Sequence, residues 1–198
     1  MRNNNIQNLT LTALMAAILC IAGPIVIPIG MVPMSFANMA IYLTIILLDK
    51  KRATISVAIY LLIGFVGLPV FAGFTGGAGK LLGPTGGYLI GYLALSLIAG
   101  TIIEMMYKTK DEDKTFASSS DKVKRMKKNI YFKQIWALVI GTLGLYGVGT
   151  VWLMIQSKLD FISALSVGVL PFIIFDVIKI IAAVALGNSI KKRMQGII

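Results

Sequence analysis

The sequence predicts an all-α membrane protein, a single integral domain over residues 1–198 with six transmembrane helices in a bundle and both termini cytoplasmic. Three observations carry this. Of the 198 residues, 57% are hydrophobic and only 14% charged, against about 25% charged in soluble domains. The charges lie between long uncharged runs rather than inside them, and the basic residues favour alternate connections, as the positive-inside rule requires. A soluble globule of this length has too little interior to hide so much apolar surface, so lipid must solvate most of it.

The elements follow in order. Residues 3–48 carry no charge, but Gly23, Pro24, Pro28, Gly30 and Pro33 interrupt the run, which predicts a first helix over 9–29, a non-helical link, and a second helix over 32–48. Cys20 follows Ile18 and Leu19, where a lipoprotein cleavage site wants small residues, so the first span is read as retained. The uncharged run 53–79 holds a third helix to about residue 67, and the run 81–103 opens a fourth over 87–107. Residues 134–157 give the fifth, and 161–190, interrupted only by Asp176 and Lys179, the sixth. Between the fourth and fifth, residues 108–133 mix basic residues with Asp111, Glu112, Asp113, Asp121 and a serine run, the composition of a mobile cytoplasmic linker.

The formal charge of +11 would suggest nucleic acid in a soluble protein. Here its placement says otherwise. Arg2, Lys50, Lys51, Arg52, the lysines and arginine of 108–133, and Lys191, Lys192 and Arg193 all fall on one side of the predicted bundle, leaving Lys80 and Lys158 on the other and Lys179 within a span. The excess is topology and contact with anionic headgroups, with no nucleic acid implied.

Ten of the twenty glycines lie between Gly64 and Gly91, together with Pro69 and Pro84. No long helix survives that density, and with Lys80 as the one charge the segment is too apolar for a solvated loop. It is expected to be an external connection between helices 3 and 4 that folds back over the bundle as a lid or pocket wall. A phosphate loop is excluded, because Phe74 stands where the first glycine is required and Leu81 follows Lys80. The dinucleotide spacing fails too, since Gly77, Gly79 and Gly83 run one residue too wide.

Asp176 and Lys179 are the only charges deep in a hydrophobic run. A charge at the bilayer centre costs about 2.5–3.5 kcal/mol on insertion scales, so each needs a partner. Three residues apart, they share one helix face, which must point into the bundle. They either satisfy each other as a structural pair or offer an acceptor beside a donor to a polar ligand, for which a urea-like group with N–H donors and a carbonyl acceptor is a match. Ser35 and Asn38 at the start of the second helix, Tyr42 one turn further, and Tyr88 at the start of the fourth are candidates to complete such a pocket. Absence of histidine and a single cysteine leave no metal set and no catalytic triad. Ala13 and Ala17 form a small-residue face on the first helix, suited to close packing with a helix of this chain or of another subunit.

The run Gly67-Leu68-Pro69-Val70-Phe71-Ala72-Gly73, the motif Gly83-Pro84-Thr85-Gly86-Gly87-Tyr88-Leu89 with Gly91-Tyr92, and Phe175-Asp176 with Lys179 resemble the signature of the BioY family, the biotin-binding S components of energy-coupling factor (ECF) transporters. The resemblance covers all six spans. It implies a six-helix bundle that binds biotin near the external face, capped by the connections between helices one and two and between three and four. It also implies assembly with a transmembrane coupling subunit and two cytoplasmic ATPases, with biotin as transported ligand and no cofactor. Carried over, Asp176 and Lys179 become biotin contacts, Asn38 fits the Pro-x-Thr-x-Gln-Asn-like stretch at the start of helix two, Gly73 and Lys80 join the binding set, and Ala13 and Ala17 resemble the alanine motif presented to the coupling subunit. Ser35 and Ala37 depart from the family's usual Thr and Gln there. The resemblance does not set which end of biotin meets Asp176 and Lys179; the hydrogen-bonding match favours the ureido ring, with Lys80 or wall hydroxyls then facing the valerate carboxylate.

Two other readings of different kinds remain at this level. A self-sufficient proton-coupled carrier would use Asp176 as its proton site, and an S component for another vitamin would share the architecture. An intramembrane enzyme is the weakest, because one carboxylate and one amine do not assemble a matched acid and base. The chain carries no ATPase motif of its own, so a binding subunit would draw power from partners.

Overall fold

The computed structural model describes residues 4–28, 32–113 and 120–194. Among them are eight helices and one antiparallel hairpin: α1 (Asn4–Ala22), β1 (Val26–Ile27), β2 (Met34–Ser35), α2 (Ala37–Leu47), α3 (Lys50–Val66), α4 (Ala78–Leu82), α5 (Gly86–Asp113), α6 (Ser120–Ser157), α7 (Phe161–Gly168) and α8 (Ile173–Met194). Four of them, α1, α5, α6 and α8, are long and apolar enough to cross a membrane. The chain is a mostly helical, multi-pass membrane protein.

The first expected helix ends at Ala22, seven residues early, because Gly23-Pro24 interrupts the backbone ladder and the chain turns into the hairpin, pairing Val26 with Ser35 and Ile27 with Met34. The second accordingly starts at Ala37, and its 11 residues reach about 16 Å, half of a hydrocarbon core. In place of a linker over 108–133, α5 continues to Asp113 and α6 begins at Ser120. The remaining residues of that segment, 114–119, lie outside the described residues, as does Arg2. The sixth expected helix is two helices, since the chain turns over 169–172, where Val169 and Leu170 both donate to the Leu165 carbonyl and Pro171 has no N–H to offer. Hydropathy is continuous across that turn, so composition conceals it.

The glycine-rich segment folds back as expected. Gly67 closes α3 in the left-handed region, φ +116°, with its N–H on the Gly64 carbonyl, the geometry that favours glycine at a helix C-terminus. Phe71 then inserts fully buried, edge-to-face on Tyr60 with ring centroids 5.6 Å apart. Gly73 donates to the Pro24 carbonyl, 3.1 Å, so the segment buttresses the α1–β1 corner. At its far end the Trp152 indole of α6 donates to the Gly83 carbonyl, 2.9 Å, and lies so close to Gly87 that a Cβ there would sit 2.1 Å from it. This explains why the start of α5 tolerates no side chain at that position.

The bundle is pinned by α8. Phe172, Asp176, Lys179, Ile180, Ala183, Val184 and Gly187 are buried at helical spacing, while Ile173, Ile174, Val177, Ile178 and Ile181 point outward. Near its C-terminal end a second polar cluster joins three helices: Gln134 of α6, 2% exposed, donates to the Tyr107 hydroxyl of α5 at 3.0 Å and accepts from Asn188 of α8 at 2.6 Å. Lys191 lies over the Tyr107 ring, 4.8 Å from its centroid. Arg52 at the start of α3 bonds Asp49 and Asn8, and Lys50 lies 3.9 Å from Glu104. These are half-exposed pairs of small energetic weight.

Gln134→Leu removes both hydrogen bonds of that cluster at once and leaves Tyr107 and Asn188 without them. It is expected to destabilise the bundle by about 0.6–2 kcal/mol, read as a lowered melting temperature in detergent micelles, whereas an unchanged melt would show that the cluster does not hold α5, α6 and α8 together.

Candidate functional site

A cleft with about 380 Å³ of empty space, part of it open to solvent, lies at the N-terminal end of α8. Lys191, Lys192 and Arg193 occupy the last turn of the same helix, so the cleft and the basic end of the bundle are about 22 Å apart along the helix axis. Its walls come from the hairpin (Val32, Pro33, Met34, Ser35), the first turn of α2 (Asn38), α5 (Tyr88, Tyr92), α6 (Leu145, Tyr146) and the α7–α8 corner (Gly168, Phe172), with Asp176 and Lys179 on α8.

Each element delivers its residue for a local reason. Asp176 is in the first turn of α8, where the helix dipole favours an acid, and its N–H bonds the Phe172 carbonyl, 2.8 Å. Asp160 caps α7 by accepting from the Ser163 N–H, 3.2 Å; hydrogen bonds from the Ser163 side chain, then its backbone, hold this exposed carboxyl below its ordinary range. Val32 and Met34 of the hairpin pack with Leu153, Ala164 and Phe172 into a small apolar cluster that roofs the cleft.

The polar centre is a connected network. Asp176 and Lys179, 3% and 7% exposed, form an ion pair at 3.2 Å. Tyr146 donates to Asp176 Oδ2 at 2.6 Å, and the Asn38 amide straddles both carboxylate oxygens at 3.3 and 3.4 Å. Lys179 also donates to the Ser35 carbonyl, 3.0 Å, while the Ser35 hydroxyl donates to the Gly23 carbonyl and accepts from the Ala37 N–H, both at 2.9 Å. Among the described residues the buried Tyr88 hydroxyl closes no hydrogen bond of good geometry, and the Thr150 side chain is its polar neighbour. The ring of Tyr88 sits between Gly149 and Gly168, and a Cβ at Gly168 would meet its hydroxyl at 2.1 Å. A carboxylate, an ammonium and a free phenol around an apolar cleft can hydrogen-bond a ligand that carries both donors and acceptors.

Of the residues singled out in the sequence, the structure brings Ser35, Asn38, Tyr88, Asp176 and Lys179 to this cleft. Tyr42 stands one turn behind Asn38, fully buried, and bonds Thr142 of α6 at 2.9 Å. Gly73 is exposed in the folded-back segment with φ +74°, and Lys80 sits on α4; neither lines the cleft. Of the glycine-rich segment 64–91, Tyr88 alone lines the cleft. Ala13 and Ala17 are exposed on α1 while Ala16 between them is buried. Tyr146, Tyr92 and Phe172 were missed. Tyr146 carried a usable signal, since it lies within an uncharged span, away from the ends where anchoring tyrosines collect.

Comparisons with known proteins find relatives along the whole chain. Residues 1–196 match the family model described as the BioY family. A Lactococcus lactis protein named biotin transporter BioY2 is 34% identical over 196 residues, 98% of this chain and 96% of its own. The Thermotoga maritima biotin transporter BioY is 33% identical over 189 residues, 94% and 96% of the two chains. A crystal structure described as the S-component for biotin from an ECF-type ABC transporter matches with a TM-score of 0.80 and 31% identity, over 97% of this chain and 94% of that one.

Lys179→Met leaves a buried carboxylate without its cation and is expected to cost about 3–5 kcal/mol, of which a second change, Asp176→Asn, returns roughly half or more. Melting temperatures of the single and double variants in detergent check this. A single variant as stable as the parent would mean that the pair is hydrated, not buried.

Proposed function

The chain belongs to the BioY family, and on that premise we propose that it is the substrate-binding S component of an ECF transporter, capturing biotin outside the cell membrane for uptake powered by others. One observation carries the reading: an acceptor and a donor of opposite charge, Asp176 and Lys179, sit together in the wall of an otherwise apolar cleft. A cyclic urea offers N–H beside C=O, so Asp176 accepts from the ring and Lys179 donates to it. Asn38 completes the edge. The Tyr88 hydroxyl, which closes no hydrogen bond among the described residues, is left for the valerate carboxylate in place of Lys80, which does not line the cleft.

The same reading sets the topology. Six crossings result if the hairpin and α2 share one, α7 and α8 share another, and α1, α3, α5 and α6 each make their own. The positive-inside rule then puts both termini in the cytoplasm and the cleft on the external side. The partners are a transmembrane coupling subunit and two cytoplasmic ATPases, with Ala13 and Ala17 on the exposed face of α1 as the docking contact. Lys179 gives Asp176 a resident cation at 3.2 Å, which favours ligand capture over a proton site at that carboxylate.

Isothermal titration of the purified protein with biotin, desthiobiotin and other vitamins tests the proposal. One site per chain with biotin preferred is expected, and Asp176→Asn should weaken it by about tenfold or more; no biotin binding, or an unaffected variant, overturns it. Ala13→Leu and Ala17→Leu are expected to leave the biotin affinity within about twofold and to abolish co-purification with the coupling subunit. Lost binding would instead mean that this face packs within the chain.

A further inference from the structure

We propose that Tyr146 is a positioning residue for ligand recognition, holding the Asp176 carboxylate in the one orientation that leaves an acceptor open to a ligand N–H. The inference rests on the reading of the cleft as a biotin site. The two carboxylate oxygens offer about four lone-pair positions. Tyr146 takes one on Oδ2 at 2.6 Å, within the range of charge-assisted O–H···O bonds. Lys179 takes one on Oδ1 at 3.2 Å. What remains is spanned by the single Asn38 amide at 3.3 and 3.4 Å, longer than the usual N–H···O distance of about 2.9–3.0 Å. A ligand N–H has only that weak contact to displace.

The terminal torsion of an aspartate is broad, so a carboxylate pinned at one oxygen swings. Here it is pinned at both, by donors on different helices: Lys179 shares α8 with Asp176, whereas Tyr146 reaches across from α6. The Tyr146 ring is in turn packed against the cluster of Val32, Met34, Leu153, Ala164 and Phe172 that roofs the cleft. Tyr146 therefore ties the direction of the weakly held acceptor to that apolar cluster.

Tyr146→Phe keeps the ring and removes the donor. Biotin affinity should fall by about tenfold or more, with the melting temperature close to the parent. Tyr107→Phe, which deletes a bonded hydroxyl at the opposite end of the bundle, should stay within about twofold. In a double-variant cycle with Asp176→Asn, measured by competition at high ligand concentration, the two losses should be strongly non-additive. A second readout needs no ligand: in infrared spectra of protein with carboxyl-labelled aspartate, the band that disappears in Asp176→Asn should shift in Tyr146→Phe. An unshifted band, additive losses, or equal losses in the two tyrosine variants would overturn the role of Tyr146 alone. A parent protein that binds no biotin would overturn the biotin reading and this inference with it.

Discussion

A carboxylate and an ammonium one helical turn apart, both buried among apolar side chains, set the terms for the rest of this bundle. Either charge alone would cost about 2.5–3.5 kcal/mol at the membrane centre, and pairing at 3.2 Å relieves this only if the remaining donors and acceptors are satisfied as well. Satisfying them draws on every neighbouring element. Tyr146 comes from α6, Asn38 from the first turn of α2, and the Ser35 carbonyl from the hairpin. The outward rows of isoleucines on α8 and the buried row that begins at Phe172 follow from keeping that pair turned inward.

The α6–α8 interface carries polar contacts at two levels. Tyr146 meets Asp176 at one, and Gln134 meets Asn188 at the other. Each pair is displaced by twelve residues from its counterpart, in opposite chain directions, so the antiparallel helices keep one register over about 18 Å. The levels differ in how completely their groups are used. Gln134 donates and accepts at 3.0 and 2.6 Å and is closed off from solvent. Around Asp176 the Asn38 bonds are long, and the Tyr88 hydroxyl closes no hydrogen bond of good geometry among the described residues. A closed network fastens helices, whereas an incomplete one beside a cleft leaves hydrogen-bonding capacity for a ligand.

Much of this was legible from residues alone, for physical reasons that can be named. Asp176 and Lys179 stand out because lipid makes any charge within a span conspicuous, and three-residue spacing fixes their common face. Asn38 follows from its place just after a proline-broken link. The break at 169–172 was not legible, because Val169, Leu170 and Phe172 are as apolar as the helices they separate and Pro171 alone is tolerated inside membrane helices. The hairpin was hidden for a similar reason: Val26, Ile27 and Met34 extend the hydropathy of α1 and α2 without continuing either helix. Gly73 and Lys80 were placed in the binding set by resemblance, yet the backbone of that segment turns away to brace Pro24. Tyr42 shares a helix face with Asn38, but it reaches Thr142 behind the cleft. Sequence identifies the residues of a wall more readily than which layer of it each will occupy.

Ser35 shows how little chain separates the cleft from the helix that would meet a partner. Its hydroxyl accepts the N–H that starts α2 and donates to the carbonyl of Gly23, one residue past the end of α1, while its own carbonyl accepts from Lys179. A molecule that engages Lys179 therefore acts two hydrogen bonds from the C-terminus of α1, and Ala17 lies less than two turns further along that helix. If α1 is the docking face, occupancy and docking share this strut, and a smaller residue at the position preserves it only with a hydroxyl. Serine in place of threonine does preserve it: both bonds are made by the oxygen, and the methyl that threonine would add takes no part in them.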